Sequence, residues 1–209
     1  MRTITILILL VFVALSLSCG PSAPARNTKT GLAVGVKPVA DAELAVIEME
    51  NAEAYGTITL ELYSNVAPKM VAQFKALANE GFYNGTTFHR INQSVIQGGD
   101  PLSKDDNPNN DGTGKSNKPN VPAEFSDIPY DTGILGAARS ANSIDSSNCQ
   151  FFITLKREPG FDKNYTIFGK VIDGMENVRT IAAVQPKGGP TGERPVDPVR
   201  IKTITIKAR

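Results

Sequence analysis

The sequence predicts a mainly β fold, a closed eight-stranded antiparallel barrel capped by two α-helices, and three observations carry that expectation. Short segments of period-two alternation recur along the chain. The clearest is "GTITLELY" (Gly56 to Tyr63), which sets Ile58, Leu60 and Leu62 against Thr57, Thr59 and Glu61. The 18 glycines and 14 prolines in 209 residues supply the turns such strands need. Two stretches show helical periodicity, and they suit the ends of a barrel.

At the N-terminus Arg2 precedes the apolar run Ile4 to Leu17, too short for a membrane span of about 20 residues. It reads as a signal peptide over residues 1–18. Leu15-Ser16-Leu17-Ser18 before Cys19 resembles the lipobox of bacterial lipoproteins, with Ser16 where that motif usually has leucine, so Cys19 is the expected lipidation site. Cleavage after Ala23-Pro24-Ala25 is the alternative, leaving a soluble periplasmic or secreted protein. Residues 19–41, small, polar and proline-bearing, read as a flexible tether from the membrane to one domain, residues 42–209.

That domain opens with a hairpin, 45–50 pairing with 56–63 across Asn51 to Ala54. Pro68 then starts a helix with Met70, Val71, Phe74, Leu77 and Ala78 on one face and Gly81 beyond its end. Strands follow at 87–91, 95–97, 134–138, 150–155 and 166–172, with a second helix from Met175 to Val184. In the closing "VRIKTITIKAR" the apolar phase slips between Ile201 and Ile204, which predicts a bulge or a strand covered on both faces.

Composition excludes several functions. A formal net charge of +1 with no basic run argues against nucleic acid or an anionic membrane surface as partner. Cys149, in "NCQFFITL", reads as a small buried strand residue rather than a nucleophile, and a disulfide to Cys19 would only staple the leader to the domain. The acidic, amide-rich stretch after Asp100 fails the spacing of a helix-flanked calcium loop. Counted from Asp105, the positions that need glycine and glutamate are Asn110 and Ser116. It reads as a solvated loop bordering a site, and neither a metal nor a cofactor is expected.

The blocks "GFYNGTTFHR", "QGGD", "GTG", "GILGAARS", "QFFITL" and "FGKVIDGMENV" resemble, in order and spacing, the cyclophilins, the cyclosporin-type peptidyl-prolyl isomerases. The similarity runs from Ala45 to the C-terminus. It implies a monomer that turns the peptide bond before proline in other polypeptides. By that resemblance Arg90 is the catalytic arginine, and Gln97 binds substrate backbone and orients the guanidinium. Phe152 floors the proline pocket, with Phe88 and His89 packed beneath or beside it. Ala138 and Arg139 border the substrate backbone, Gln150 forms a wall, Phe161 the rim and Tyr165 the edge. His89, the one histidine, tempts a general-base reading, but isomerisation transfers no proton, so packing is expected.

This sequence also departs from the family. Ser94 and Val95 stand where most members carry an aromatic-plus-apolar pair, in a segment one residue shorter, which predicts a shallower pocket. The chain has no tryptophan, and Pro159 or Gly160 falls where many eukaryotic members have one, which predicts weak cyclosporin sensitivity. Tyr165 and Arg139 look like the bacterial branch. The expected function is assistance to folding of exported proteins in the cell envelope; the alternative is a peptide-binding module or holdase with little catalysis.

Overall fold

A computed structural model describes residues 32–105, 107–184, 186–188 and 192–209. Among the described residues ten strands form, eight of them in one antiparallel sheet. In chain order these are β1 (Glu43–Met49), β2 (Thr57–Leu62), β3 (Arg90–Ile91), β4 (Val95–Gly98), β5 (Ile134–Ala137), β6 (Phe151–Thr154), β7 (Ile167–Asp173), β8 (Pro186–Gly188), β9 (Arg194–Pro195) and β10 (Ile201–Ala208). The sheet runs β10-β1-β2-β7-β5-β6-β4-β3, and β8 pairs with β9 in a separate two-stranded sheet.

The expected closed barrel is corrected here: the sheet is an open half-barrel whose end strands, β10 and β3, form no ladder with each other. The reason is length. β3 has two residues, and the chain before it meets the start of β10 through the single bridge Thr87–Arg200. Backbone bonds from Gly85 N to Ile201 O and from Phe88 N to Val199 O stitch that seam.

The elements follow from local chemistry. β1 and β2 pair as a hairpin, but their connection is a helical turn, α1 (Ala52–Tyr55), started by Asn51, whose side chain accepts from Ala54 N at 3.2 Å. α2 (Pro68–Asn79) buries the five apolar residues of its predicted face. Its first residue, Pro68, fits a position where the amide has no helical partner. α3 (Met175–Ala182) buries Val178 and Ile181. The phase slip in the last strand is a bulge: Glu48 pairs with Thr203 and Met49 with Ile201, leaving Lys202 unpaired.

Part of the expected tether is docked on the domain. Ala33 is fully buried and bridges Ser126, and Gly35 N donates to Asp127 at 2.8 Å. Asp41 N donates to Leu62 O, while the Asp41 carboxylate accepts from the Ser64 hydroxyl and from Lys75 of α2. Residues 32–41 are thus a strap, because their backbone groups find partners in two loops that sequence alone does not bring near. Residues 1–18 and Cys19 lie outside the described residues.

Two apolar clusters result. The main core lies inside the half-barrel under α2 and α3; a smaller one, around Tyr130, Phe152 and Ile167, lies on the opposite face of β5–β7.

Candidate active site

Antiparallel partners that face each other share one side of a sheet. Arg90 on β3 lies opposite Gln97 on β4, Gln97 opposite Phe152 on β6, and Phe152 opposite Gly136 on β5. The four form a row across four strands. Alternation along the strands adds Val95, Gln150 and Ala138 to the same side. Their neighbours Ile91, Ile96, Leu135, Ala137, Phe151 and Ile153 all enter the main core.

Hydrogen bonds link the polar end of the row. Arg90 Nη1 donates to Gln97 Oε1 at 3.3 Å, Gln97 Nε2 to Gln150 Oε1 at 3.0 Å, and Gln150 Nε2 to the carbonyls of Gly112 and Gly114 at 3.0 Å each. Arg90 Nε donates to Glu193 Oε2 at 2.5 Å. A guanidinium has five N–H donors, so two are used and three remain, two of them on Nη2. The Arg90 side chain is 42% exposed, which leaves those donors accessible.

Aromatic rings build the apolar end. Phe152 stacks on Tyr130 at 5.8 Å and meets Phe161 and Tyr165 edge-on, each at 5.6 Å. Val95 is buried against this cluster. Gly136 lets the Phe152 ring lie down on β5: a Cβ there would come within 2.3 Å of Phe152 Cζ. Gly160, at the turn Pro159–Phe161, is the opposite case, with open space where a side chain would begin.

A cavity of about 350 Å³ adjoins the row, lined among others by Gln97, Thr113, Lys115, Arg139, Ser146 and Gln150. Arg139 stacks over Tyr165 at 4.7 Å and donates to the carbonyls of Asn164 and Ser140, so these two residues lean on one another. Asp100, fully buried, holds the opposite lip by accepting from the backbone N–H groups of Leu102, Gly112 and Gly114. The shortened segment closes on Asn92, whose side chain accepts from Ser94 N at 2.9 Å and Val95 N at 3.0 Å. Arg90 and Gln97 therefore keep their register although the loop is short.

One expected contact moves. Phe88 is fully buried in the main core, edge-on to Phe151 at 6.2 Å, and offers no surface to a substrate. The resemblance implies a place for it beneath or beside the pocket; the chain between the Thr87 bridge and Arg90 is irregular, and the Phe88 ring enters the core there. It supports β4 instead: a Cβ on Gly98 would meet the Phe88 ring at 3.2 Å.

The chain matches the family model described as "Cyclophilin type peptidyl-prolyl cis-trans isomerase/CLD" over residues 46–206. It is a cyclophilin. A Brucella suis protein named "Probable peptidyl-prolyl cis-trans isomerase" is 44% identical over 131 residues, 60% of this chain; the match spans 66% of that relative's length. A Dictyostelium discoideum peptidyl-prolyl cis-trans isomerase is 39% identical across 72% of this chain and 91% of its own. The crystal structure of a Cryptosporidium parvum cyclophilin type isomerase, in the presence of the dipeptide Ala-Pro, superimposes with a TM-score of 0.68 at 30% identity. It covers 79% of this chain and 99% of the other.

Two reactive-looking residues of this cyclophilin are packed away. His89 is 4% exposed, and burial lowers its pKa to about 4 against the opposing pull of Asp100. Burial likewise pushes the Cys149 thiol up to about 11, the wrong direction for a nucleophile. Among the described residues no three His, Cys, Asp or Glu side chains converge as metal ligands. Tyr130, Asp100 and Glu193 are site-building residues that the sequence reading missed. Asp100 had a local signal, an aspartate closing "QGGD"; Tyr130 and Glu193 had none, lying in irregular segments far along the chain.

Proposed function

We propose that this cyclophilin accelerates rotation about Xaa-Pro bonds in exported polypeptides and so assists their folding. The observation that carries the reading is the single row Arg90–Gln97–Phe152, a directed cation beside an aromatic floor. Rotation of that bond is opposed by amide resonance, with a barrier of roughly 18–20 kcal/mol, and takes tens to hundreds of seconds unaided. A useful catalyst removes about 5 to 7 kcal/mol, four or five powers of ten in rate. No covalent bond breaks, so preferential binding of the twisted amide suffices. Twisting frees the nitrogen lone pair as an acceptor, and a fixed Arg90 donor gains strength only at that moment. Phe161 and Tyr165, half-buried over the Phe152 ring, offer apolar surface, while Gln97 and Gln150 offer polar groups for substrate backbone.

Measuring cis/trans exchange of a Xaa-Pro peptide by NMR tests the proposal. The full chain should accelerate exchange, and Arg90→Ala should lose on the order of 10²-fold in kcat/KM. If the wild-type protein leaves exchange at its uncatalysed rate, the alternative of a peptide-binding holdase takes its place.

Export and anchoring rest on Arg2, the apolar run Ile4 to Leu17 and the position of Cys19. Among the described residues no helix is long and apolar enough to cross a membrane. Mass spectrometry of the mature N-terminus should find a diacylglyceryl group on Cys19. A chain beginning near Arg26 would favour the soluble alternative.

A further inference from the structure

A long, flexible arginine on a two-residue edge strand is poorly placed for a reaction that needs a fixed donor. The residues that restrain it come from far along the chain. Glu193 lies along the outer edge of β3, where its carbonyl accepts from Ile91 N at 2.8 Å. Its carboxylate accepts from Arg90 Nε at 2.5 Å through one oxygen and from Asn92 Nδ2 at 2.8 Å through the other. Beyond Arg90 the bonds run through Gln97 and Gln150 to the carbonyl of Gly112. Asp111, the residue before Gly112, forms an ion pair with Arg194 at 2.6 Å, their side chains 5% and 12% exposed. Arg194 is the covalent neighbour of Glu193. The contacts therefore close into a ring, completed by two peptide links.

We propose that Glu193 and Arg194 act as a positioning clamp on the two ends of the active-site hydrogen-bond chain. Glu193 fixes Arg90 through Nε, the donor nearest the stem, which leaves the outer amino groups for the twisted amide. Arg194 fixes the loop whose carbonyls hold Gln150, and through it Gln97. Neither residue touches substrate. The adjacent opposite charges also set the direction: the anion reaches the guanidinium and the cation reaches Asp111, and an exchange of the two would oppose like charges at both ends.

The inference rests on Arg90 being the catalytic donor, and its test is arranged to separate the two ideas. In the peptide exchange assay with the full chain, Glu193→Ala should lower kcat about tenfold while KM stays within about twofold. Glu193→Gln, whose amide oxygen can still accept from Nε, should lose no more than about threefold. In an Arg90→Ala background Glu193→Ala should add nothing, because it acts only through Arg90. Arg194→Ala should lower kcat/KM by several-fold, with the loss shared by KM as the Gly112 loop loosens.

A readout independent of turnover is the Arg90 Nε–H signal in NMR, expected to be slow to exchange with water in wild type and in Glu193→Gln and fast in Glu193→Ala. Should Glu193→Ala fail to fold, Glu193→Asp, one methylene short, serves in its place. A folded variant with wild-type kcat, an added loss in the Arg90→Ala background, or an unchanged Nε–H signal overturns the clamp. An inactive wild-type protein with a protected Nε–H signal instead overturns the enzyme reading and leaves the clamp standing.

Discussion

Phe152 lies flat against β5 because the residue opposite it is Gly136, and a methyl group there would stand 2.3 Å from its ring and 2.8 Å from the Tyr130 hydroxyl. Gly136→Ala must therefore tilt Phe152 and disturb Tyr130 beneath it. The expected result is a loss of about 1 to 3 kcal/mol in chemical denaturation and at least a tenfold fall in kcat/KM, on the order of overpacking elsewhere. His89 makes a different prediction. Its folded pKa of about 4 lies below the ordinary value of 6.5, chiefly through burial, with Asp100 opposing and Arg90 and Arg194 adding to the shift. Between those values the unfolded chain binds the extra proton, so stability is complete above the unfolded pKa and falls as pH drops toward about 4. Roughly 3 kcal/mol is at stake. Thermal melts between pH 7 and 4 should show that slope, and His89→Gln should flatten it.

Among the elements, α2 shows most directly what tertiary structure adds. Its N-cap, Ala67, has no side-chain oxygen to offer, so the first amides of the helix look for partners elsewhere. The buried Glu124 supplies them, accepting from Lys69 N at 3.1 Å and Met70 N at 2.9 Å, and its charge complements the helix dipole. Glu124→Ala should cost about 2 kcal/mol by urea denaturation, with Glu124→Gln recovering part of it. The apolar stripe of α2 was readable because period 3.6 is written into consecutive residues; its cap was not, because Glu124 is 55 residues from Lys69. The same division holds at the site. Arg90, Gln97 and Phe152 were named through the resemblance of their sequence blocks to a family, and a short hairpin sets the first two opposite one another. Glu193, 103 residues from Arg90, enters through chain return that no local pattern encodes. Phe88, carried over by resemblance as a neighbour of the pocket, lies in the main core instead, because the chain between the Thr87 bridge and Arg90 is irregular.

At the scale of the whole molecule, the half-barrel turns one face inward to a core and the other outward to the site, and its two edges are managed differently. The β10 edge meets the chain before β3 at the Thr87–Arg200 bridge, while Glu193 lies along the β3 edge. The docked strap bears on the proposed anchor. With residues 32–41 held against the domain, 12 residues, Gly20 to Gly31, would separate a lipid on Cys19 from the folded body. However those residues are arranged, they span at most about 45 Å. Were the proposed lipid on Cys19, such a leash would confine the domain to a shallow layer above the bilayer, within reach of polypeptides still close to the membrane.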